Sequence, residues 1–324
     1  LENNGRWDSI EVVIPEFKPK LKLQGNYLNG NRDGTWTEFF KDGKRKTELN
    51  YSNGKFSGLQ SYWSSNGNKI EEKNYINGKQ QGLWTIYFEE TGIKKEETFY
   101  IDGVQEGLWT EWFEDGQKRR ERNFKNGERD STWNTWYENG NKRFLATYSD
   151  GKLNGKYIRW YQGGIIKEQD GDYINNKKHN KWVFWGKNGQ KSEEINYNAG
   201  IQNGPHIKWF GDSSDQHKKF HKNFKNGEND GVWHYWYTTG VDSLKSSYLE
   251  GKKDGHWVWW RSNGLKDKEG FYKKEKKHGV WTVWNDSSGT AYHKLHEETF
   301  VNDIIDGSVT KWYKEGDIDR QGVM

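Results

Sequence analysis

The stretch Gly107-Leu108-Trp109-Thr110-Glu111-Trp112-Phe113-Glu114-Asp115-Gly116-Gln117-Lys118-Arg119-Arg120-Glu121-Arg122-Asn123-Phe124-Lys125-Asn126-Gly127 decides the fold, because it is one copy of a unit that recurs along nearly the whole chain. A missed internal period misassigns an entire architecture, so the repeat comes before any local reading. With Gly107 as the marker, the equivalent positions are Gly34, Gly58, Gly82, Ser131, Gly155, Asn180, Gly204, Gly231, Gly255, Gly279 and Gly307. The steps cluster at 24 residues and give twelve units, the last truncated, running from near residue 24 to near residue 320. Residues 1–23 hold Pro15 and Pro19, two of the three prolines, and read as an extended lead-in or cap before an array over residues 24–324.

Two positions of the unit are aromatic in every copy. One is Phe39, Trp63, Tyr87, Trp112, Trp136, Trp160, Trp185, Trp209, Trp236, Trp260, Trp284 and Trp312; the other begins at Tyr27, includes Phe124 and ends at Phe300. The Trp109 position is looser, with Trp in eight units and Gln60, Tyr157, His206 and Val309 in the rest. From each Tyr-type residue to the next Trp-type residue the distance is always 12, so all length variation falls in one of two turns. The constant turn has the form Gly-x-x-x-Gly, as in Gly103 to Gly107. The variable one carries Asn-Gly, Asp-Gly or Thr-Gly, as in Asp115-Gly116, a hairpin signal. A turn every 12 residues without helical periodicity predicts short strands such as Leu108–Phe113 and Lys118–Phe124. The expected fold is all-β: an elongated antiparallel β-meander of twelve 24-residue hairpin repeats in a single-layer twisted sheet. About 24 strands at roughly 4.8 Å each would extend about 110 Å.

Composition fits a fold without a central core. Leu, Ile, Val and Phe number only 58 of 324 residues, a level that with high net charge would mean disorder. Here 51 basic and 47 acidic residues leave a net charge of +4, and 20 Trp, 18 Tyr and 15 Phe supply large apolar rings to bury. The absence of Cys excludes disulfides, Cys-ligated metals and thiol catalysis. No apolar run approaches the roughly 18 residues of a membrane-spanning helix, and the charge balance makes nucleic acid an unlikely partner.

Strand alternation places Trp109, Glu111 and Phe113 on one face and Thr110 and Trp112 on the other, so both faces carry ring ladders. A base stands six before the Tyr-type site in ten units, as Lys118 does, and an acid three before it in eight, as Glu121 does. Their odd offset predicts that the two charge rows lie on opposite faces.

The pattern Gly107-Leu108-Trp109, Trp112-Phe113, Asp115-Gly116, Lys118, Glu121, Phe124, Gly127 resembles the bacterial variant of the MORN repeat, over about residues 24–320. Classical MORN repeats have Gly where Trp109 stands, so the likeness is to the variant type. The resemblance implies hairpin repeats in an elongated sheet and a role as scaffold or protein-binding module. Some bacterial members are labelled antitoxin-like, which makes a toxin partner an alternative. The family supplies no catalytic residues.

The sequence therefore points to a non-enzymatic scaffold or protein-binding module, with no cofactor and no metal. The candidate binding residues are the exposed-ladder tryptophans Trp63, Trp112, Trp136, Trp160, Trp185, Trp209, Trp236, Trp260, Trp284 and Trp312. Carbohydrate or cell-wall binding by those rings is the alternative. Aromatics at a fixed repeat site also serve as packing ladders, and the charge rows as solubilising edges. Longer turns at 211–220 and 285–296 fall on one edge of the sheet, where partner contacts are readily built. His217 and His221 share a strand face but lack a neighbouring carboxylate at fixed spacing, His293 and His296, three apart and followed by Glu297-Glu298, fall on opposite faces of a strand, and no phosphate loop, nucleophile elbow or dinucleotide fingerprint occurs. A Trp-rich, Cys-free chain beginning at Leu1 looks processed and points to a secreted or envelope protein of bacteria.

Overall fold

A computed structural model of the chain describes residues 20–211, 216–285, 292–313 and 318–323. Most of the expected lead-in, and parts of both long turns, lie outside the described residues. The described chain is all-β: 28 strands, every pairing antiparallel, and no helix. It forms two compact units, Leu1–Gln105 with Glu114–Gly116, and Glu106–Phe113 with Gln117–Met324. Within each unit the strands pair with their sequence neighbours as a meander of hairpins that does not close. In the first, Leu23–Leu28 pairs with Asn31–Phe39 and the order runs on to Lys94–Ile101. In the second it runs from the strand ending at Trp112 to Ile318–Val323, which pairs with Ile304–Trp312.

One turn of every hairpin is a two-residue turn with both residues left-handed, as at Asn126 (φ 52°) and Gly127 (φ 78°). That is the type I′ geometry, whose twist matches that of the strands. The Gly-x-x-x-Gly segment expected as a single turn is thus two features. Its first Gly closes the turn; its second sits inside the following strand. The strands are correspondingly longer than expected, as in Glu128–Trp136.

That second position is a bulge. Glu121 pairs with Asn134 and Asn123 with Asp130, so Arg122 alone faces the three residues 131–133. The bulge requires a left-handed residue, and Ser131 (φ 53°) and Asn180 (φ 56°) adopt that conformation where Gly is missing. The displaced backbone throws the first Trp of the unit back across the sheet. The Trp133 indole Nε1–H donates to the Asn123 carbonyl at 3.0 Å. The same bond, ten residues back, is made by Trp36, Trp84, Trp182, Trp233, Trp257 and Trp281, at 2.9–3.1 Å. The accepting carbonyl is used twice: the Asn223 oxygen takes the Asp230 N–H at 3.1 Å and the Trp233 indole at 2.9 Å. In several units an Asn locks the bulge from the other side, as when Asn223 Nδ2–H donates to the Val232 carbonyl at 3.0 Å. At Gly171 the indole lies flat on the backbone, and a Cβ there would stand 2.3 Å from the Trp182 ring.

These stapled indoles are the core. Trp182 is 0% exposed, and the rings pack edge-on or tilted against the flanking Tyr-type residues. In the first unit the chain of contacts is Tyr27, Trp36, Tyr51, Phe56, Tyr75, Trp84 and Tyr100, with centroids 4.9–6.5 Å apart. In the second, rings from Phe224 to Phe300 repeat it at 4.6–6.4 Å. Each such pair adds about 0.5–1.5 kcal/mol beyond the area it buries. Cations cover the rings: Lys277 Nζ lies 4.6 Å from the Trp281 centroid and 4.7 Å from that of Phe300.

A second bulge corrects the expected separation of the charge rows. Lys118 pairs with Trp112 and Arg120 with Glu111, so Arg119 is an extra residue. The extra residue reverses the alternation, and Lys118 and Glu121 share a face as an ion pair. Lys69–Glu72, Lys94–Glu97, Lys167–Asp170, Lys191–Glu194, Lys266–Glu269 and Lys294–Glu297 repeat it.

Gln60 tests the staple, because it does the work of the indole in a unit without one. It is 0% exposed; its Nε2 donates to the Asn50 carbonyl at 3.0 Å and its Oε1 accepts the Asn50 N–H at 2.9 Å. Gln60→Leu leaves the Asn50 N–H without its acceptor, while the Asn50 carbonyl keeps the Ser57 N–H at 2.9 Å, at a cost of about 1–3 kcal/mol. Faster hydrogen exchange at the Asn50 amide is the expected result; an unchanged rate would contradict the role given to this side chain.

Candidate binding face

The two faces of the sheet differ in what the repeat demands of them. On one lie the ion pairs and the ten candidate tryptophans. Trp63, Trp112, Trp136, Trp160, Trp185, Trp209, Trp236, Trp260 and Trp312 are half-buried, and Trp284 is buried at 9% exposure. Trp185, Trp236, Trp284 and Trp312 lie under the ammonium groups of row lysines at 5.4–6.0 Å. The next residue ties one loop to the following hairpin: Tyr137, Tyr161 and Tyr237 donate their hydroxyls at 2.8 Å to the carbonyls of Trp160, Trp185 and Trp260. These rings line a face that the rows of ion pairs already occupy.

Two acids of that face, Glu194 and Asp170, are held below the usual carboxylate range. Burial alone would raise the Glu194 carboxyl, but hydrogen bonding from Lys191 at 2.7 Å and the charge of Lys181 outweigh it and hold it below the usual carboxylate range. Asp170, bonded by Lys156 at 2.8 Å and Lys167 at 2.6 Å, is lowered in the same way against its burial. Tyr87 goes the other way: burial, and donation to Glu72 at 2.6 Å, push its phenol up to about 12.

The opposite face carries the stapled rings and, beside them, a file of side chains that are direct cross-strand partners. In the second unit Glu111, Arg120, Thr135, Phe144, Arg159, Gln169, Phe184, Glu193, Lys208, Phe220, Tyr235, Leu244, Trp259, Lys268, Val283, His296 and Lys311 succeed one another across the sheet. The first unit has Glu38, Thr47, Tyr62, Glu71, Ile86 and Glu96 in the same register. The Tyr-type and second Trp positions and the type I′ turns recur unit by unit; this file does not repeat. Its side chains meet the rings at ordinary distances, as Trp259 does Trp257 at 5.5 Å and Trp281 at 6.0 Å. No sequence signal marked it, because a search for what recurs passes over what varies. It was recoverable by asking which position two after the first Trp fails to recur.

Near the start of the second unit the file opens into a hollow of about 880 Å³, where the small Thr135 stands between Arg120 and Phe144. Tyr137, Tyr148 and Tyr157 give it aromatic walls, and five arginines line it. Elsewhere on the chain, the histidine pairs noted in the sequence take separate roles. His217 Nδ1 meets the Thr238 carbonyl at 2.9 Å, and His221 pairs across strands with His234. His293 packs at Asn285, whose amide lies 3.2 Å from its Nδ1, and His296 belongs to the file. Among the described residues no group of three or more His, Cys, Asp or Glu is placed to hold a metal ion.

Residues 32–53 and 105–126 match the family described as MORN repeat variant. Those two segments are MORN-variant repeats. The second match falls on the unit quoted first; each match spans a variable turn, at Asp42-Gly43 and Asp115-Gly116, and ends on the first residue of a type I′ turn, Asn53 or Asn126. No curated protein sequence matches the chain. Two solved structures, TcdB2-TccC3 and TcdB2-TccC3 without hypervariable C-terminal region, are similar at 13% and 12% identity, with TM-scores of 0.19 and 0.17. They cover 88% and 93% of this chain, which spans 18% of the length of each, and likeness at that level carries no inference about this protein.

The carboxylate environment sets an acid limit on the repeat array. A carboxyl held below its unfolded value stabilises the fold above the unfolded pKa, and that stability is lost as pH falls through the folded one. The thermal midpoint is expected to fall most steeply below about pH 4.5, where unfolded carboxyls take up protons. Glu194→Gln makes that acid slope shallower; a slope identical to that of the parent chain would contradict the pairing with Lys181 and Lys191.

Proposed function

We propose that this chain is a non-enzymatic, protein-binding scaffold whose partner is read by the unrepeated file on the stapled face. The observation that carries the reading is the contrast within one sequence. Staples, turns and ion pairs recur in unit after unit, while the file changes chemistry at almost every step, from Arg120 to Phe144 to Glu193 to Trp259. A position freed from folding duty can vary without unfolding the array, and repeat scaffolds bind through extended surfaces of such positions. The file includes Tyr62, Tyr235, Trp259, Arg120 and Arg159, side-chain types that often dominate binding energy at protein interfaces. The MORN-variant match and the hairpin-repeat fold are consistent with this role.

The test compares two triple variants of equal charge change in capture from native extract. Lys208→Ala/Lys268→Ala/Lys311→Ala alters the file; Lys187→Ala/Lys225→Ala/Lys252→Ala alters exposed lysines away from it. With both folded by circular dichroism, the first is expected to lose at least one protein that the parent chain and the second capture reproducibly. Capture of no protein, or equal capture by both variants, would overturn the reading.

A further inference from the structure

Resting on the protein-binding reading above, we infer that the arginine-lined hollow of the second unit docks an acidic segment of a partner protein. Arg119, Arg120, Arg122, Arg143 and Arg159 converge on the hollow, and one carboxylate, Glu138, is among its lining residues. The counter-charges within reach are shared or peripheral. Arg119 and Arg120 divide a single partner, Glu111, at 3.1 and 3.2 Å, and Arg159 meets Glu168 at 3.0 Å. Arg143 lies over the Tyr137 ring at 5.6 Å.

Arg122 is the most telling of the five. Its guanidinium sits between the Trp109 and Trp133 rings, 4.7 and 4.9 Å from their centroids, and its Nε–H is buried with no acceptor. Burial first, and the neighbouring charge of Arg120 second, pull it below the usual arginine range. A cation left in that position gains from an incoming anion. Guanidinium groups bind carboxylates through paired, parallel hydrogen bonds.

The shape of the charge favours a peptide over a polynucleotide. Backbone-tracking nucleic-acid sites need a line of cations along the strand. Here the cations are gathered in one hollow, and the file to either side carries Glu111 and Glu193. A volume near 880 Å³ suits a few side chains, and the walls of Tyr148, Phe144 and Tyr157 suit an apolar or aromatic residue between acidic ones.

The probe is a fluorescein-labelled peptide of Glu-Glu-Tyr triplets, titrated with the full chain and followed by anisotropy. Binding is expected, weakening as salt rises. Arg143→Glu/Arg159→Glu, two changes at the mouth of the hollow, is expected to weaken it at least tenfold. Lys225→Glu/Lys252→Glu, the same charge change at exposed strand ends away from the hollow, is expected to weaken it less than threefold. Thermal midpoints establish that both variants are folded. No binding of the peptide, or equal losses in the two variants, would overturn the inference. So would tighter binding of an oligothymidylate or a heparin fragment that the first variant alone abolishes, since the hollow would then serve another polyanion. If the peptide fails while file-dependent capture from extract persists, the scaffold reading stands and only this inference falls; if both fail, the scaffold reading falls too.

Discussion

One hydrogen bond recurs at Trp36, Trp84, Trp133, Trp182, Trp233, Trp257 and Trp281: the indole N–H donated ten residues back to a main-chain carbonyl. A sheet without a second layer has no interior in which to hide rings. Its strands hold together by ladder bonds that water competes for, unless apolar area is gained elsewhere. The bulge after each type I′ turn supplies that area. By giving up two residues of pairing, it lets a large ring fold flat across the neighbouring strand, where the indole N–H satisfies a carbonyl already bonded once. An ordinary strand, with its side chains perpendicular to the sheet, has no such option. Trp serves best because it pairs the largest apolar surface with a single donor; Gln60 keeps the hydrogen bonds while giving up most of the area.

The staple also frees the rest of the face. Because each unit secures itself through its own Trp, Tyr and turn, the file beside the rings has no fixed packing task and follows no 24-residue rule. Scaffold and surface are thereby divided along the width of each strand. The opposite face shows what the repeat does when a position is not free: Lys and Glu recur, pair, and cover the second row of tryptophans.

Much of this was legible in the sequence, and what was not failed for physical reasons. The period, the hairpins, the all-β class and the two aromatic rows follow from spacing alone. The Gly-x-x-x-Gly segment was read as one turn because a turn glycine and a bulge glycine leave the same mark; both need φ above zero, but Gly127 ends a strand while Ser131 lies within one. The charge rows were assigned to opposite faces by strict alternation, which the extra residue at Arg119 breaks. Asn123, whose amide braces the bulge, leaves only a partial mark in the sequence: an Asn stands before the Tyr-type residue in half of the units. Hydrogen bonds from side chain to backbone have no periodic signature of their own. The hollow at Thr135 depends on which residues of a non-repeating file happen to be small or charged, and no repeat analysis reaches it.

The most direct test of the central claim is hydrogen exchange of the indole N–H groups in chain labelled with ¹⁵N-tryptophan, with assignments from single Trp→Phe variants. The account predicts two populations. The indoles of Trp36, Trp84, Trp133, Trp182, Trp233, Trp257 and Trp281, bonded to main-chain carbonyls, exchange slowly and in step with the amides of their own hairpins, whereas those of half-buried rings such as Trp136 and Trp185 exchange faster. If the first group exchanged as fast as the second, the indole would not be the staple, and the fold would have to be held together by some other interaction.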